Sequence, residues 1–523
     1  MNRIVVCPEP LAAEAGAEIF RKGGSAVDAA LGTAYAQTVV SPAMTTIAST
    51  GVMNLFHAPT GRNVIVDFLD RAGSAARSDM FVGAQPGDIL FGYESILVPT
   101  FVRGTQTAFE VFGSRRVSWD TILEPAIRYA EEGFPVYPYM HQYWRADNPV
   151  QQTGCPFDGR GMLSTTRACA DVFTVNGRVH HIGERLVQPD LARVLRRLAR
   201  EGPEDFYTGE IGRRMAEDLE QNGAPVTARD LAACRVEMRE PLRGSYRGLT
   251  IATDPPPAIG AQLVALLNVL EGYDLRSLGQ GMPAYYDLMA RALYLVFAER
   301  TRFVEPDIDS SLSELLVSKE HAADLRAAIG EVPRRAPMPP AGLAGTTQVT
   351  TYDDEGSAVS MTHTVCFGSG VVTPGLGFMY NNGMSMFDPR PGQVNSVAPG
   401  KRPISGGGPA IVFQGEQVRM VLGSPHGGRK TSAMAHVIVS IVDFGVSPSA
   451  AVASARIHCE NDPLELRVDA FFPRDVRQEL QCRGYRLRED TYGGRVCLVD
   501  VDPRTGKASG ASDPRGDGGL EEF

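Results

Sequence analysis

A Pro-rich stretch, Val332 to Gly345, runs straight into Gly345-Thr346-Thr347-Gln348-Val349, and the pattern turns from helical to alternating at that point. This junction constrains the chain more than any other feature. A Thr hydroxyl is a poor nucleophile without a base beside it, but a Thr at a new N-terminus carries its own base, the α-amine. A small Gly before a Thr-Thr pair, at the mouth of a strand, suits a site where the chain cuts itself to expose such a residue. Thr346 to Tyr352 and Ser357 to Thr364 flank Asp353-Asp354-Glu355-Gly356 and are expected to form a β-hairpin. The Pro-rich stretch reads as a mobile linker.

The remaining organisation alternates. Helices are expected over Pro10 to Lys22, ended by Gly23-Gly24, and from a Ser25 cap to about Val39 with Ala, Val and Leu on the buried side. Further helices are expected over Ser118 to Glu132, Gln188 to Glu201, Ile259 to Glu271, Pro283 to Arg300, Lys319 to Ile329, Ala433 to Phe444 and Pro448 to Ala455. Val64 to Phe68, Val418 to Leu422 and Val496 to Val501 read as strands. No repeats are visible.

Composition narrows the function. A chain of 523 residues, 43% hydrophobic, can bury a sizeable core. Its net charge of −10 argues against a nucleic-acid or acidic-membrane surface. The N-terminus lacks an apolar run before a small-residue cleavage site, and no segment has the length and apolarity of a span, so a cytoplasmic protein is expected. The eight Cys are scattered without a Cys-x-x-Cys pair, and the nine His show no metal spacing, so neither a disulfide framework nor a metal site is implied. Arg outnumbers Lys 46 to five, as a GC-rich genome would give. Gly406-Gly407-Gly408 and Gly516-Asp517-Gly518-Gly519 are glycine clusters of the kind found in turns, and no phosphate-binding loop is present.

Other motifs follow Thr346 in order: Phe367-Gly368-Ser369-Gly370, Asn381-Asn382, Lys401-Arg402-Pro403, Gly423-Ser424-Pro425 and Ala511-Ser512-Asp513-Pro514-Arg515. Gly23-Gly24-Ser25-Ala26-Val27-Asp28-Ala29-Ala30 and Asp254-Pro255-Pro256-Pro257 precede it. Together they resemble the γ-glutamyl transpeptidase family of N-terminal nucleophile hydrolases over nearly the whole chain. The resemblance implies an α/β fold, a four-layer α-β-β-α sandwich. It would be built jointly from pieces 1–345 and 346–523, which autocleavage between Gly345 and Thr346 would separate. It implies no cofactor and no partner beyond a small-molecule substrate and the self-cleaved heterodimer, with higher oligomers left open.

Carried over by position, Thr346 aligns with the family nucleophile and Thr364 with the second Thr that hydrogen-bonds it. His426 and Gly427 align with the oxyanion donors of a Gly-Ser-Pro-Gly-Gly turn. His426 adds a side chain there that reshapes the pocket, donates a proton, or points to solvent. Gln348 stands where a His is usual.

The glutamyl clamp is where the resemblance breaks. The family's Arg position is Leu69, its Asn is Cys366, its Gln or Glu is Gly383, its Asp is Met386, and its Ser-Ser pair is Ser405-Gly406. Thr46 to Gly51 replaces a glycine-rich run. Arg71, two residues past Leu69, would share its face on a strand but sit about 7 Å along it. A charge-assisted contact to a buried ion contributes roughly 1.5–3 kcal/mol, so losing several would lower glutamyl recognition by orders of magnitude. Two enzyme readings remain, beside an inactive scaffold. One is hydrolysis of a C–C bond in a pyrroline-type intermediate, as in a divergent branch serving 4-alkyl-L-proline antibiotic biosynthesis, for which the less polar pocket is suited. The other is an amidohydrolase or acylase.

Overall fold

The computed structural model describes residues 2–84, 89–145, 158–303, 310–330, 345–460, 462–489 and 494–523. The expected linker over 332–344 lies outside them.

Two antiparallel sheets carry the site. Their strands, in chain order, are β1 (Ile4–Cys7), β2 (Thr50–His57), β3 (Arg62–Phe68), β4 (Glu237–Arg239), β5 (Leu242–Tyr246), β6 (Leu249–Thr253) and β7 (Gly345–Tyr352), followed by β8 (Ala358–Cys366), β9 (Ala410–Gln414), β10 (Gln417–Gly423), β11 (Cys497–Val501), β12 (Ala508–Ser512) and β13 (Gly519–Glu522). The first sheet has seven strands in the order β13-β1-β7-β8-β2-β3-β4, and the second has six in the order β12-β11-β10-β9-β6-β5. Strands from both sides of Gly345-Thr346 therefore interleave in both sheets.

Period-two alternation explains the stacking. On β1, Ile4 and Val6 point between the sheets, where they meet Ile411, Phe413, Val421 and Val499. Val5 points the other way, into a core shared with the helices α1 (Pro10–Arg21) and α2 (Ala26–Val40). Beyond the second sheet, Ile251, Val412, Leu422 and Leu498 pack on α3 (Gly260–Glu271), α4 (Pro283–Ala298) and α5 (Arg429–Val442). The result is the expected order of layers: helices, sheet, sheet, helices.

Local sequence sets most boundaries. Ser25 caps α2 with a reciprocal bond to Asp28, as its position predicts. The helix differs from expectation in being buried on every side rather than along one stripe. It is sandwiched between α1 and the β7 side of the first sheet, so small residues are needed all round. Helix α5 begins at Arg429, four residues before the expected start at Ala433. The charged pair Arg429-Lys430 hid its first turn, yet both residues are buried.

The β7–β8 hairpin closes through Asp353 to Gly356. Gly356 has a φ of +87°, and its N–H donates to the Asp353 carbonyl at 3.0 Å. At the open end, Gly345 pairs with Cys366 and Thr347 with His363, so Thr364 and Val365 together oppose the single residue Thr346. This is a β-bulge on β8. It re-aims Thr364 toward Thr346, while the Val365 N–H leaves the ladder for the Met44 carbonyl at 3.0 Å.

Candidate active site

Thr346 is buried at the bulge, and its hydroxyl donates to Thr364 Oγ1 at 3.4 Å. Thr364 accepts from the Cys366 N–H at 2.7 Å and donates in turn to the Gly345 carbonyl oxygen. One hydroxyl thus touches both the Thr346 hydroxyl and the carbonyl of the residue before it. Gly345 is required by space. A Cβ there would stand 2.8 Å from the Cys366 carbonyl, 2.9 Å from the Ala43 carbonyl and 3.0 Å from Tyr143 Oη.

Buried polar groups brace the strand behind Thr346. Thr347 Oγ1 lies 3.0 Å from Glu9 Oε2 and accepts from Gln37 Nε2 at 2.8 Å. The side-chain oxygen Oε1 of Gln37 is 2.8 Å from His363 Nε2, and His363 Nδ1 is 2.8 Å from Thr45 Oγ1. Burial pulls His363 down to a pKa of about 3, so its ring is neutral. Gln348 accepts from Thr362 at 2.7 Å and donates to Ser360 at 2.9 Å. It fills the space under Gly423, where a Cβ would come within 2.3 Å of it.

The Gly423–Gly427 turn connects to Thr346 through residues that the sequence reading passed over. Arg495 Nη2 donates to the Thr346 carbonyl at 3.2 Å, and its backbone N–H donates to Ser424 Oγ at 3.0 Å. Its guanidinium carbon lies 3.8 Å from the centre of the Tyr139 ring. The Tyr139 hydroxyl is hydrogen-bonded to His426 Nε2. His426 therefore faces Tyr139 in the interior, and the solvent-facing alternative is corrected. The φ of +83° at His426 is unusual for a residue with a Cβ, and the Tyr139 contact helps hold it. Burial, with Arg495, Arg429 and Lys430 nearby, keeps the imidazole well below its usual pKa. Nothing in the local sequence around Tyr139 or Arg495 marks them; their positions come from tertiary packing.

The positions aligned with the glutamyl clamp fall into one region with one exception. Leu69 packs on Val52, Ile65 and Ala258, and Ala258 bridges to Ser405. Cys366 Sγ is 3.4 Å from Met386 Sδ. Asn381 Oδ1 accepts from the Gly383 N–H at 3.0 Å, and Asn382 Oδ1 from the Phe367 N–H at 2.7 Å, which fixes both neighbouring loops. Gly406 lies against the Gly423–Gly427 turn, a Cβ on it standing 3.8 Å from Gly427 Cα. Arg71 is the exception. Strand β3 ends at Phe68, so the shared-face argument does not reach Arg71, and its guanidinium donates to Glu237 at 2.6 Å.

Three buried charges that the sequence reading did not count stand in this region. Asp70 Oδ2 has no hydrogen-bond partner among the described residues, and a Cβ on Gly383 would lie 2.5 Å from it. Burial raises the Asp70 carboxyl to a pKa of about 7. Lys430 donates to the Gly406 carbonyl, and burial lowers its amine to about 8 against the pull of Asp254. Asp254 accepts from the Gly408 N–H at 2.9 Å and is itself raised to about 7 by burial. Both Asp70 and Lys430 act electrostatically on Cys366, where burial pushes the thiol up. Among the described residues no cluster of His, Cys, Asp and Glu could hold a metal ion, and no helix is long and apolar enough to cross a membrane.

A Gly–Thr junction at the end of a central strand, met on both residues by one Thr364 hydroxyl, within helix–sheet–sheet–helix layers, is the arrangement of an N-terminal nucleophile hydrolase. Comparison with known proteins makes this specific. The family model for gamma-glutamyltranspeptidase matches residues 12–523, and the chain belongs to that family of enzymes. The Acylase ACY 1 proenzyme of Pseudomonas sp. (strain SE83) is 35% identical over 535 residues, covering 98% of this chain and 92% of that protein. The crystal structure of cephalosporin acylase from Bacillus halodurans superposes with a TM-score of 0.87 at 29% identity, over 99% of this chain and 95% of its own. LmbA2991HD has the same fold, with a TM-score of 0.85 at 22% identity over 99% of this chain and 98% of its own.

Proposed function

We propose that this protein cuts itself between Gly345 and Thr346 and then uses Thr346 to hydrolyse a small molecule that is not a γ-glutamyl compound. The observation that carries the first half is the Thr364 hydroxyl, which touches Thr346 Oγ1 at 3.4 Å and bonds the Gly345 carbonyl oxygen. Thr346 Oγ attacks the Gly345 carbonyl carbon, and the amide C–N bond gives way to an ester. Water then opens the ester, leaving the Gly345 carboxylate and a free Thr346 amine. The pieces 1–345 and 346–523 stay associated because each supplies strands to both sheets. In turnover the Thr346 amine takes the hydroxyl proton, Thr346 attacks the substrate carbonyl, and the His426 and Gly427 N–H groups hold the oxyanion.

The leaving group is best read as an amine, which makes the protein an acylase. The relative that supports this is an acylase proenzyme, 35% identical over 98% of the chain. A second reading, hydrolysis of a C–C bond in a pyrroline-type intermediate of 4-alkyl-L-proline antibiotic biosynthesis, is favoured by the side chains of Leu69, Cys366 and Met386. They are apolar where the family places an Arg, an Asn and an Asp. Unpaired cysteines among the described residues support a reducing compartment such as the cytoplasm.

Intact-mass analysis of the purified protein beside Thr346→Ala tests the nucleophile. Two fragments meeting at Gly345/Thr346, absent in the variant, are expected. The processed enzyme is then offered a γ-glutamyl anilide, a panel of acyl anilides and a pyrroline keto acid. Turnover of an acyl anilide with the γ-glutamyl anilide inert supports the acylase. Turnover of the keto acid alone supports C–C hydrolysis. Efficient release from the γ-glutamyl anilide would sink both.

A further inference from the structure

Arg495 is only 2% exposed, and among the described residues no carboxylate pairs with it. A guanidinium is always charged and carries five N–H donors. Here Nη2 donates to the Thr346 carbonyl at 3.2 Å, and Nε has no hydrogen-bond partner among the described residues. The guanidinium carbon lies 3.8 Å from the centre of the Tyr139 ring. The charge is therefore held in place without being neutralised. Burying a cation in this way carries a large desolvation cost, which one bond to a neutral carbonyl does not offset.

The carbonyl carbon of Thr346 is two bonds from its nitrogen, so the guanidinium stands within a few ångströms of the amine that cleavage after Gly345 would free. A like charge at that range disfavours the ammonium form, and the burial of Thr346 does the same. None of the other groups around this residue is a counter-ion in contact with the guanidinium. Burial keeps His426 of the turn and His363 of β8 neutral and pushes the Cys366 thiol up. The helix Pro138–Trp144 presents two phenols, Tyr139 and Tyr143. Arg429 and Lys430 act on His426 from beyond it and add charge of the same sign as Arg495. Glu9 lies under the opposite face of β7, where it accepts from Gln37 at 2.6 Å and Ser41 at 2.9 Å and meets Thr347. Asp517 accepts from the Tyr139 N–H at 3.4 Å and attracts the guanidinium without forming an ion pair with it.

We propose that Arg495 is a positioning residue whose fixed charge keeps the freed Thr346 α-amine unprotonated at neutral pH, ready to act as the base. This rests on the reading of Thr346 as a nucleophile exposed by self-cleavage. The charge acts on both proton transfers of a turnover. As the bond from Thr346 Oγ to the substrate carbon forms, the hydroxyl proton passes to the amine, which must be neutral to receive it. As the substrate bond breaks, the resulting ammonium returns that proton to the leaving group, and a guanidinium beside it favours the return. The Arg495 backbone N–H is meanwhile bonded to Ser424 Oγ at 3.0 Å, which ties the charge to the Gly423–Gly427 turn and fixes its distance from Thr346.

The unprotonated fraction of the amine is read by trace labelling with acetic anhydride between about pH 5 and 9, which needs no substrate. Hydroxylamine removes any ester on the hydroxyl, and mass spectrometry of the peptide that starts at Thr346 gives the labelled fraction. Wild type should titrate about one pH unit or more below the roughly 7.7–8.0 of an unperturbed α-amine. Arg495→Gln, which can keep a donor to the Thr346 carbonyl but not the charge, should raise the midpoint by about one unit or more. Arg495→Lys, which keeps the charge, should leave it close to wild type. A midpoint unmoved in Arg495→Gln overturns the proposal. So does a midpoint as high in Arg495→Lys as in Arg495→Gln, since packing and not charge would then set it. If thermal melts show Arg495→Gln unfolded, or it is not cut, Asp517→Asn decides: it removes an acid that offsets the guanidinium, so the midpoint should fall, and an unmoved or raised midpoint overturns the proposal. An uncut wild-type chain has no free Thr346 amine and removes the self-processing reading together with this proposal. A cut chain whose midpoint ignores Arg495 removes the proposal alone.

Discussion

Replacing Thr364 with Val isolates the hydroxyl at the centre of the self-cleavage geometry. Val keeps the branched shape that the bulge accommodates and removes one oxygen. That oxygen accepts from Thr346 at 3.4 Å and from the Cys366 N–H at 2.7 Å, and it donates to the Gly345 carbonyl. The last bond matters most for rate, because negative charge develops on the Gly345 oxygen as Thr346 attacks. Loss of one such donor typically costs about 2.7–4 kcal/mol of barrier, or roughly 100- to 1000-fold in rate. Orphaning the buried Cys366 N–H adds a stability cost of about 1–3 kcal/mol, which a folded protein of this size should survive. The assay is a time course of intact mass on freshly purified protein, following loss of the 523-residue chain. Thr364→Val should process at least a hundredfold more slowly than wild type, and Thr364→Ser, which restores the oxygen, should recover most of the rate. Wild-type processing in Thr364→Val would refute the assignment. So would a Thr364→Ser variant as slow as Thr364→Val, since the shape of the side chain and not its hydroxyl would then control cleavage.

Gly345→Ala should also block processing, because its Cβ would come within 3.0 Å of two carbonyls and a phenol oxygen; a variant that cleaves at the wild-type rate would show that the bulge relaxes. Asp70→Asn should change the pH dependence of stability. The folded-state pKa of Asp70 is raised from 3.8 to about 7, so this group favours folding least once it is ionised, and stability is lost as pH rises through that window. The thermal midpoint of Asp70→Asn should therefore match wild type near pH 4 and exceed it above pH 7, by up to about 4 kcal/mol in free energy; equal midpoints at pH 8 would contradict the cost of burying this carboxylate. Tyr139→Phe removes the partner of His426 and should lower kcat about tenfold, for roughly 1.4 kcal/mol of lost positioning, with autocleavage intact; an unchanged kcat would leave the contact without a catalytic role.

Much of this was legible in the sequence where local rules decide the outcome. Ser25 and Asp28 form the cap that their spacing implies, and the Asp353–Gly356 turn closes the hairpin where its residues demand it. Alternation alone could not separate the face of β1 that meets the second sheet from the face that meets the helices, because both are apolar. Helix α5 shows a different limit. Arg429-Lys430 precede the apolar run that set the expected start at Ala433, and local pattern has no means of marking a buried cation. Arg495 lies 149 residues from the Thr346 carbonyl that it bonds, and Tyr139 lies 287 from His426. Such contacts are set by the layer packing and leave no trace in spacing.

The pocket shows why position-by-position reading underestimates what a site can bind. Read position by position, the family's Arg falls on Leu69, its Asn on Cys366 and its Asp on Met386, and a pocket without charge follows if nothing else moves. Charge acts over several ångströms in a poorly polarisable interior, so the side chain that supplies it need not occupy the same backbone position. Asp70 is adjacent to Leu69 in sequence, and its oxygen reaches the Gly383 position. Lys430 comes from the helix that follows the Gly423–Gly427 turn and reaches Gly406. Of the polar side chains the resemblance places in the clamp, Ser405 alone is kept at its aligned position, while an acid, Asp70, and a cation, Lys430, stand beside these positions from neighbouring ones.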